Sequence, residues 1–228
     1  LPTRGNFIVR SPSLTGISAG EFTDSAAIRR GLSRARRTID RHAAALTRLD
    51  VVLGDGDHGD NLAIGFRAIE DHLEQVPTET LPGDLLRGVG HRLVAAVGGA
   101  SGPLYGTAFI EAGFAAGTLE VLDPPTVGRM LLAAARGVAR RGRCAVGDKT
   151  ILDTLAPTAA VYSLLVNDGS SDAVARRAAL RAAREGMLST RPLVARRGLA
   201  MRLGDHSAGH LDPGAVSCFL LILALGRR

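Results

Sequence analysis

Apolar residues recur at helical spacing through almost the whole chain, and the stretches carrying them are joined by short connections. From Thr23 to about Thr47 the pattern runs through Ala26, Ala27, Leu32, Ala35, Ile39, Ala43 and Leu46, with Thr23 or Asp24 as N-cap. Further helices are predicted over about 61–74, 83–98, 101–117, 125–140, 149–166, 171–190 and 213–225. Val51-Val52-Leu53 is the one strand-like run and is too short to found a sheet. Short links make successive helices antiparallel neighbours. The expected fold is therefore all-α, an eight-helix antiparallel up-and-down barrel or bundle. Apolar content of 46%, few aromatics and no Trp suit helices packed through small residues. At 228 residues one domain is expected over 21–228, preceded by a flexible tail over 1–20 with Pro, Gly and Ser punctuation. The native start is expected upstream of Leu1.

The net charge of +6 comes almost wholly from arginine, since Lys149 is the sole lysine. Arg29, Arg30, Arg34, Arg36, Arg37 and Arg41 fall on the polar side of one predicted helix, and Arg176, Arg177, Arg181 and Arg184 on another. Such faces read as solvated, and stacking aromatics are scarce, so no nucleic-acid partner is expected. Phe219 to Leu225 is far shorter than a bilayer span and no membrane association is expected. Cys144 and Cys218 lie far apart and read as reduced thiols of a cytoplasmic protein.

Leu49 to Asn61 packs four aspartates and three glycines into thirteen residues directly before a helical pattern. The glycines permit tight folding that turns Asp50, Asp55 and Asp57 inward together. Carboxylates roughly 6 Å apart at an effective dielectric of about 20 repel by roughly 2–3 kcal/mol per pair, which calls for a cation. Oxygen-only ligands suit Mg²⁺ or Ca²⁺, and Mg²⁺ commonly completes its shell with phosphate and water. The alternative is a solvated acidic turn.

Better-known motifs fit less well. Gly54-Asp55-Gly56-Asp57-His58-Gly59 matches a dinucleotide pattern only formally, because its carboxylates would repel a pyrophosphate. An EF-hand beginning at Asp55 would have Asp60 at its sixth position and Phe66 at its twelfth, where glycine and glutamate are required. Gly142 to Thr150 misses the P-loop by an extra aspartate between Gly147 and Lys149 and by lacking a preceding strand. His206 and His210 have zinc-ligand spacing, but Gly209 and Pro213 oppose the helix it needs. In an up-and-down bundle, the connections at 50–61, 98–103, 142–150 and 204–214 would share one end. Helix N-termini there offer free N–H groups to anions beside the aspartate loop.

Taken together, Leu49-Asp50 with Gly54 to Gly59, Gly98-Gly99-Ala100-Ser101-Gly102-Pro103-Leu104-Tyr105-Gly106-Thr107, Gly147-Asp148-Lys149-Thr150-Ile151-Leu152-Asp153, and Ser207 to Gly214 closely resemble the nucleotide-binding L subunit, or L domain, of dihydroxyacetone kinases. The resemblance implies ADP or ATP held at one end of an eight-helix barrel through two Mg²⁺ on Asp50, Asp55 and Asp57. It carries nucleotide contacts to His58, Gly59, Asp60, Asn61, Ala100, Ser101, Gly142, Ile151, Asp212, Pro213 and Gly214. It further implies a separate K-type subunit that supplies the sugar-binding histidine. An M-type phosphotransferase-system subunit goes with the stand-alone branch, and a homodimer is allowed. No catalytic side chain is assigned to this chain itself. Leu199 stands where the family usually has a phosphate-contacting arginine, with Arg197 or Arg202 as candidate substitutes, and His206 replaces a second arginine. Alternative expectations are a non-catalytic ADP-binding regulator, a fatty-acid-kinase type nucleotide domain, and the L domain of an ATP-dependent triose or tetrulose kinase.

Overall fold

The computed structural model describes residues 23–227; the predicted tail over 1–20 lies outside them. Among the described residues there are eight α-helices: α1 Ser25–Leu53, α2 His58–Gln75, α3 Pro82–Ala96, α4 Ser101–Ala116, α5 Pro124–Gly142, α6 Leu152–Asn167, α7 Asp172–Ser189 and α8 Pro213–Leu225. Each helix packs on the next in sequence, and α8 packs back on α1, which closes the ring. The predicted eight-helix up-and-down barrel is the observed architecture.

Side chains from all eight helices meet in one core, among them Leu32 and Ile39, Phe66, Leu93, Tyr105, Val138, Leu155, Met187 and Phe219. Ala215 to Leu221 are all buried, so α8 is enclosed on every side, as its uniformly apolar sequence requires. The α3–α4 contact depends on glycines. A Cβ on Gly90 would lie 2.6 Å from the Gly106 carbonyl oxygen, and one on Gly83 2.3 Å from that of Gly117. Those two backbones come closer than any side chain would allow.

Several boundaries differ from the sequence reading. Helix α1 continues through Val51-Val52-Leu53 because Leu53 is buried against Ala195 and Ala200, outweighing the small helical penalty of two valines. Helix α2 starts at His58 instead of near Asn61, and α6 starts at Leu152 instead of Lys149. Thr23–Asp24 (β1) pairs antiparallel with Val121–Leu122 (β2), a two-residue ladder at the end opposite the aspartate loop. A 3₁₀ segment over Leu199–Ser207 lies in the long α7–α8 connection, where no helix was expected. The arginine faces also do more than meet water. Arg29 donates to the carbonyls of Leu73, Val76 and Pro77, tying down the end of α2, and Arg34 Nε donates to Ala224 O of α8. Among the described residues no helix is long and apolar enough to cross a membrane.

Candidate metal and nucleotide site

The aspartate loop is built around one carboxylate. Asp50 occupies the last turn of α1 and is buried. Its Oδ2 accepts hydrogen bonds from the backbone N–H groups of Gly56 (3.0 Å), Asp57 (3.0 Å) and His58 (3.2 Å). These are among the amides that the start of α2 leaves unpaired, so the end of one helix caps the start of the next. Gly56, at φ 77°, makes the turn that a side chain would resist. Asp55 and Asp57 are exposed, and one oxygen from each of the three carboxylates lies within 4.8 Å of the others. Desolvation, then the nearby Asp55 and Asp50 carboxylates, raise the Asp57 carboxyl above its ordinary value, against a lowering hydrogen bond from Asn61. Three converging acidic oxygens under mutual repulsion suit a hard divalent cation, which reverses that repulsion.

His58 sits in the first turn of α2, buried, with Nε2 2.8 Å from Ser217 Oγ on α8 and Nδ1 3.0 Å from Ser101 Oγ on α4. Burial lowers its pKa, outweighing the Asp50 carboxylate, so the ring is neutral at neutral pH and offers one donor and one acceptor. Ser217 Oγ in turn meets the Tyr105 hydroxyl at 2.7 Å and donates to Gly214 O. This chain of hydrogen bonds joins the starts of α2, α4 and α8. Ser101 is partly exposed and is the member that can reach a ligand.

Two further connections meet the same end. Asp153, almost fully buried, accepts from Gly147 N (2.5 Å) and Thr150 N (2.7 Å), organising the loop before α6 much as Asp50 organises the one before α2. Asp212 is the N-cap of α8 and accepts from Ala215 N (2.7 Å). Enclosure pushes the Asp212 carboxyl up to about 7, against the lowering effects of that amide and Lys149. A Cβ on Gly214 would lie 3.6 Å from Ile151 N, so the α8 turn abuts the start of α6. Asn61 faces Gly98, where an added Cβ would sit 3.3 Å from the Asn61 amide. Backbone and side-chain contacts therefore gather all four connections at one mouth.

The expected site residues fall into three kinds here. Asp50, Asp55, Asp57, His58, Ser101, Asp212, Pro213, Gly214 and Ile151 cluster around the mouth, with Asp60, Asn61 and Ala100 at its rim. Gly59 is buried and serves close packing: its Cβ would lie 2.0 Å from Ala43 O of α1. Gly142 ends α5, where an added Cβ would meet Cys144 and Leu104. His206 and His210 are exposed, and the aspartate triad is the one metal-competent cluster among the described residues. Arg197 is already engaged, donating to Arg143 O and pairing with Asp148 at 3.4 Å. The sequence reading gave no role to Ser217, Asp153, Tyr105 or Thr190. Only the fold brings Ser217 to His58, although Tyr105 and Asp153 stood inside motif blocks already singled out.

The family described as the DAK2 domain matches residues 52–227. The chain is 40% identical over 187 residues to "PEP-dependent dihydroxyacetone kinase 2, ADP-binding subunit DhaL" of Listeria innocua, covering 81% of this chain and 85% of that protein. It is 36% identical over 194 residues to "PEP-dependent dihydroxyacetone kinase, ADP-binding subunit DhaL" of Escherichia coli K12, covering 85% and 92%. The dihydroxyacetone kinase of C. freundii, solved in complex with AMP-PNP and Mg²⁺, superposes with a TM-score of 0.68 at 26% identity. That match covers 99% of this chain and 38% of the other, so this chain spans about two fifths of that larger protein. The match runs from the end of α1 through α8, across every connection that builds the mouth, and the chain belongs to the DAK2 domain family.

Proposed function

We propose that this chain binds ADP or ATP with Mg²⁺ at the mouth. It would act as the nucleotide-bearing subunit of a kinase for dihydroxyacetone or a related ketose, with the sugar held by a separate K-type partner. The observation that carries the reading is the triad of Asp50, Asp55 and Asp57, whose oxygens converge within 4.8 Å beside the starts of three helices. Names of the Listeria and E. coli relatives and the nucleotide-bound C. freundii neighbour support it. In the branch with a stand-alone subunit, an M-type phosphotransferase-system partner would rephosphorylate the bound nucleotide.

Two Mg²⁺ on this triad would leave a local charge of about +1 to neutralise phosphate oxygens as charge moves during transfer. The chain's own residues prepare the ground for that. Asp50 is oriented by three amides, so the metal-facing loop is set before any ligand arrives. Neutral His58 fixes the Ser101 hydroxyl, and Ser217 fixes His58. Gly214 lies in the first turn of α8, close to Ile151, where a helix start leaves backbone N–H groups free for an anion. Phosphoryl transfer depends mostly on such positioning and charge neutralisation, so none of these groups needs to form a covalent bond.

Calorimetric titration of ADP into the full chain, in Mg²⁺ and in EDTA, tests this reading alongside an Asp55→Ala/Asp57→Ala variant. Binding that requires Mg²⁺ and disappears in the variant is expected. Absence of ADP binding by the wild type in Mg²⁺ would overturn the assignment.

A further inference from the structure

Lys149 is the sole lysine and, at 1% exposure, one of the most deeply buried side chains. Its backbone adopts φ 63°, a left-handed conformation that non-glycine residues hold only where their surroundings impose it. The ammonium Nζ donates to Thr190 O at 2.6 Å and His210 O at 2.5 Å. Those two carbonyls stand at the opposite ends of the long α7–α8 connection. The same base is closed by Asp212 N donating to Thr190 Oγ1 (3.1 Å) and Gly209 N donating to Arg191 O (2.7 Å).

Above this base the connection runs along the mouth. Arg196 N donates to Asp148 O, and Ala195 and Ala200 pack on Leu53, next to the aspartate loop. Below it, Asp212-Pro213-Gly214 opens α8. Lys149 therefore pins the segment before α8 to the segment before α6, which Asp153 already holds in place. An ammonium suits the position, because its donors radiate from one point, whereas a guanidinium presents a flat fork. Burial lowers the pKa of Lys149, and the Asp212 and Asp153 carboxylates act the other way. Its donors are turned to main-chain carbonyls and it is closed to solvent, so it is not a phosphate ligand.

We propose that Lys149 is a positioning residue for the nucleotide, setting where the Asp212-Pro213-Gly214 turn stands relative to the aspartate loop. The proposal rests on the reading of the mouth as a nucleotide site. It separates the role of this lysine from that of a P-loop lysine, which binds phosphate directly.

The test uses the full chain as wild type, Lys149→Met and Thr190→Val. Thr190→Val removes the second clamp, the acceptor for Asp212 N, without touching the ammonium. ADP affinity in Mg²⁺ is measured well below each protein's unfolding midpoint, together with helical circular dichroism and trypsin cleavage at Arg196, Arg197 and Arg202. Lys149→Met should retain wild-type helicity, bind ADP roughly tenfold or more weakly, and be cut faster within 191–209. Thr190→Val should shift both readouts in the same direction by less. A lowered unfolding midpoint with unchanged ADP affinity would mark a purely structural lysine and overturn the proposal. Where Lys149→Met does not fold, unchanged affinity in Thr190→Val overturns it equally. A wild type that binds no ADP fails the functional reading itself, whereas a wild type that binds while both variants match it fails only this inference.

Discussion

Neutralising one member of the aspartate triad should stabilise the free protein and cripple the liganded one. Asp55→Asn is the cleanest perturbation, because it keeps shape and leaves the amides on Asp50 untouched. Oxygens of the three carboxylates lie within 4.8 Å of one another. At that separation a pair repels by about 0.9 kcal/mol in a water-like dielectric and about 3.5 kcal/mol at an effective value of 20. Asp55 and Asp57 are exposed, so the lower part of the range applies, and removing two pairs should gain about 1–3 kcal/mol at low salt. For a chain of this size that raises the unfolding midpoint by roughly 2–4 °C per kcal/mol. With Mg²⁺ and ADP at about a thousand times the dissociation constant, the wild type gains about 4.1 kcal/mol that the variant lacks. The order of stabilities therefore inverts on adding ligand. Urea unfolding at low ionic strength, in EDTA and then in Mg²⁺ with ADP, reads both halves. Added monovalent salt should shrink the EDTA difference as the screening length falls. A variant less stable than wild type in EDTA, or one gaining as much from ligand, would refute the argument.

Two further outcomes are expected. Asp123 is the N-cap of α5, and the Thr126 side chain and amide hold its carboxyl below the ordinary value. Asp123→Ala should cost about 1 kcal/mol at neutral pH by thermal unfolding. Because the folded-state pKa is depressed, the carboxylate's contribution is fully present above the unfolded value and disappears as pH falls through the folded one. The gap between variant and wild type should accordingly close below about pH 4, and a gap that is constant across that window would contradict the capping role. Leu199→Arg supplies the charge that the family resemblance leads one to expect at this position. It should tighten Mg²⁺–ADP binding by roughly ten- to a hundredfold, the equivalent of about 1.5–3 kcal/mol for one charge-assisted contact. Unchanged affinity in calorimetry would mean that position 199 does not face the phosphates.

Periodicity alone exposed the helices, because each must bury one stripe against neighbours and the stripe is written at fixed spacing. Boundaries were harder, since they depend on tertiary partners. Leu53 extends α1 only because Ala195 and Ala200, far away in sequence, cover it. The aspartate loop was legible because converging charges are costly wherever they occur, and glycines mark the turn that allows them. Its inner logic was not, as nothing in the sequence indicates that Asp50 spends one oxygen on three amides while Asp55 and Asp57 remain exposed. Lys149 stood out only by rarity, as the sole lysine, which says nothing of where its side chain lies. The fold buries it on two carbonyls. Ser217 had no local signature at all, because its significance comes from the fold bringing α8 against α2.

The seam between α1 and α8 has a consequence for how the molecule comes into being. The other neighbour seams of the ring join helices consecutive in the chain and can form as each is added, whereas this one joins α1 to α8. Closing so long a loop costs more chain entropy than any seam between consecutive helices. The bond from His58 to Ser217 spans that closure, as does Arg34 reaching the Ala224 carbonyl. A nascent chain that has not yet supplied α8 can coil its first seven helices, yet its mouth lacks one wall. Competence to hold a ligand at this mouth thus arrives with α8, and ligand binding reports closure of the ring.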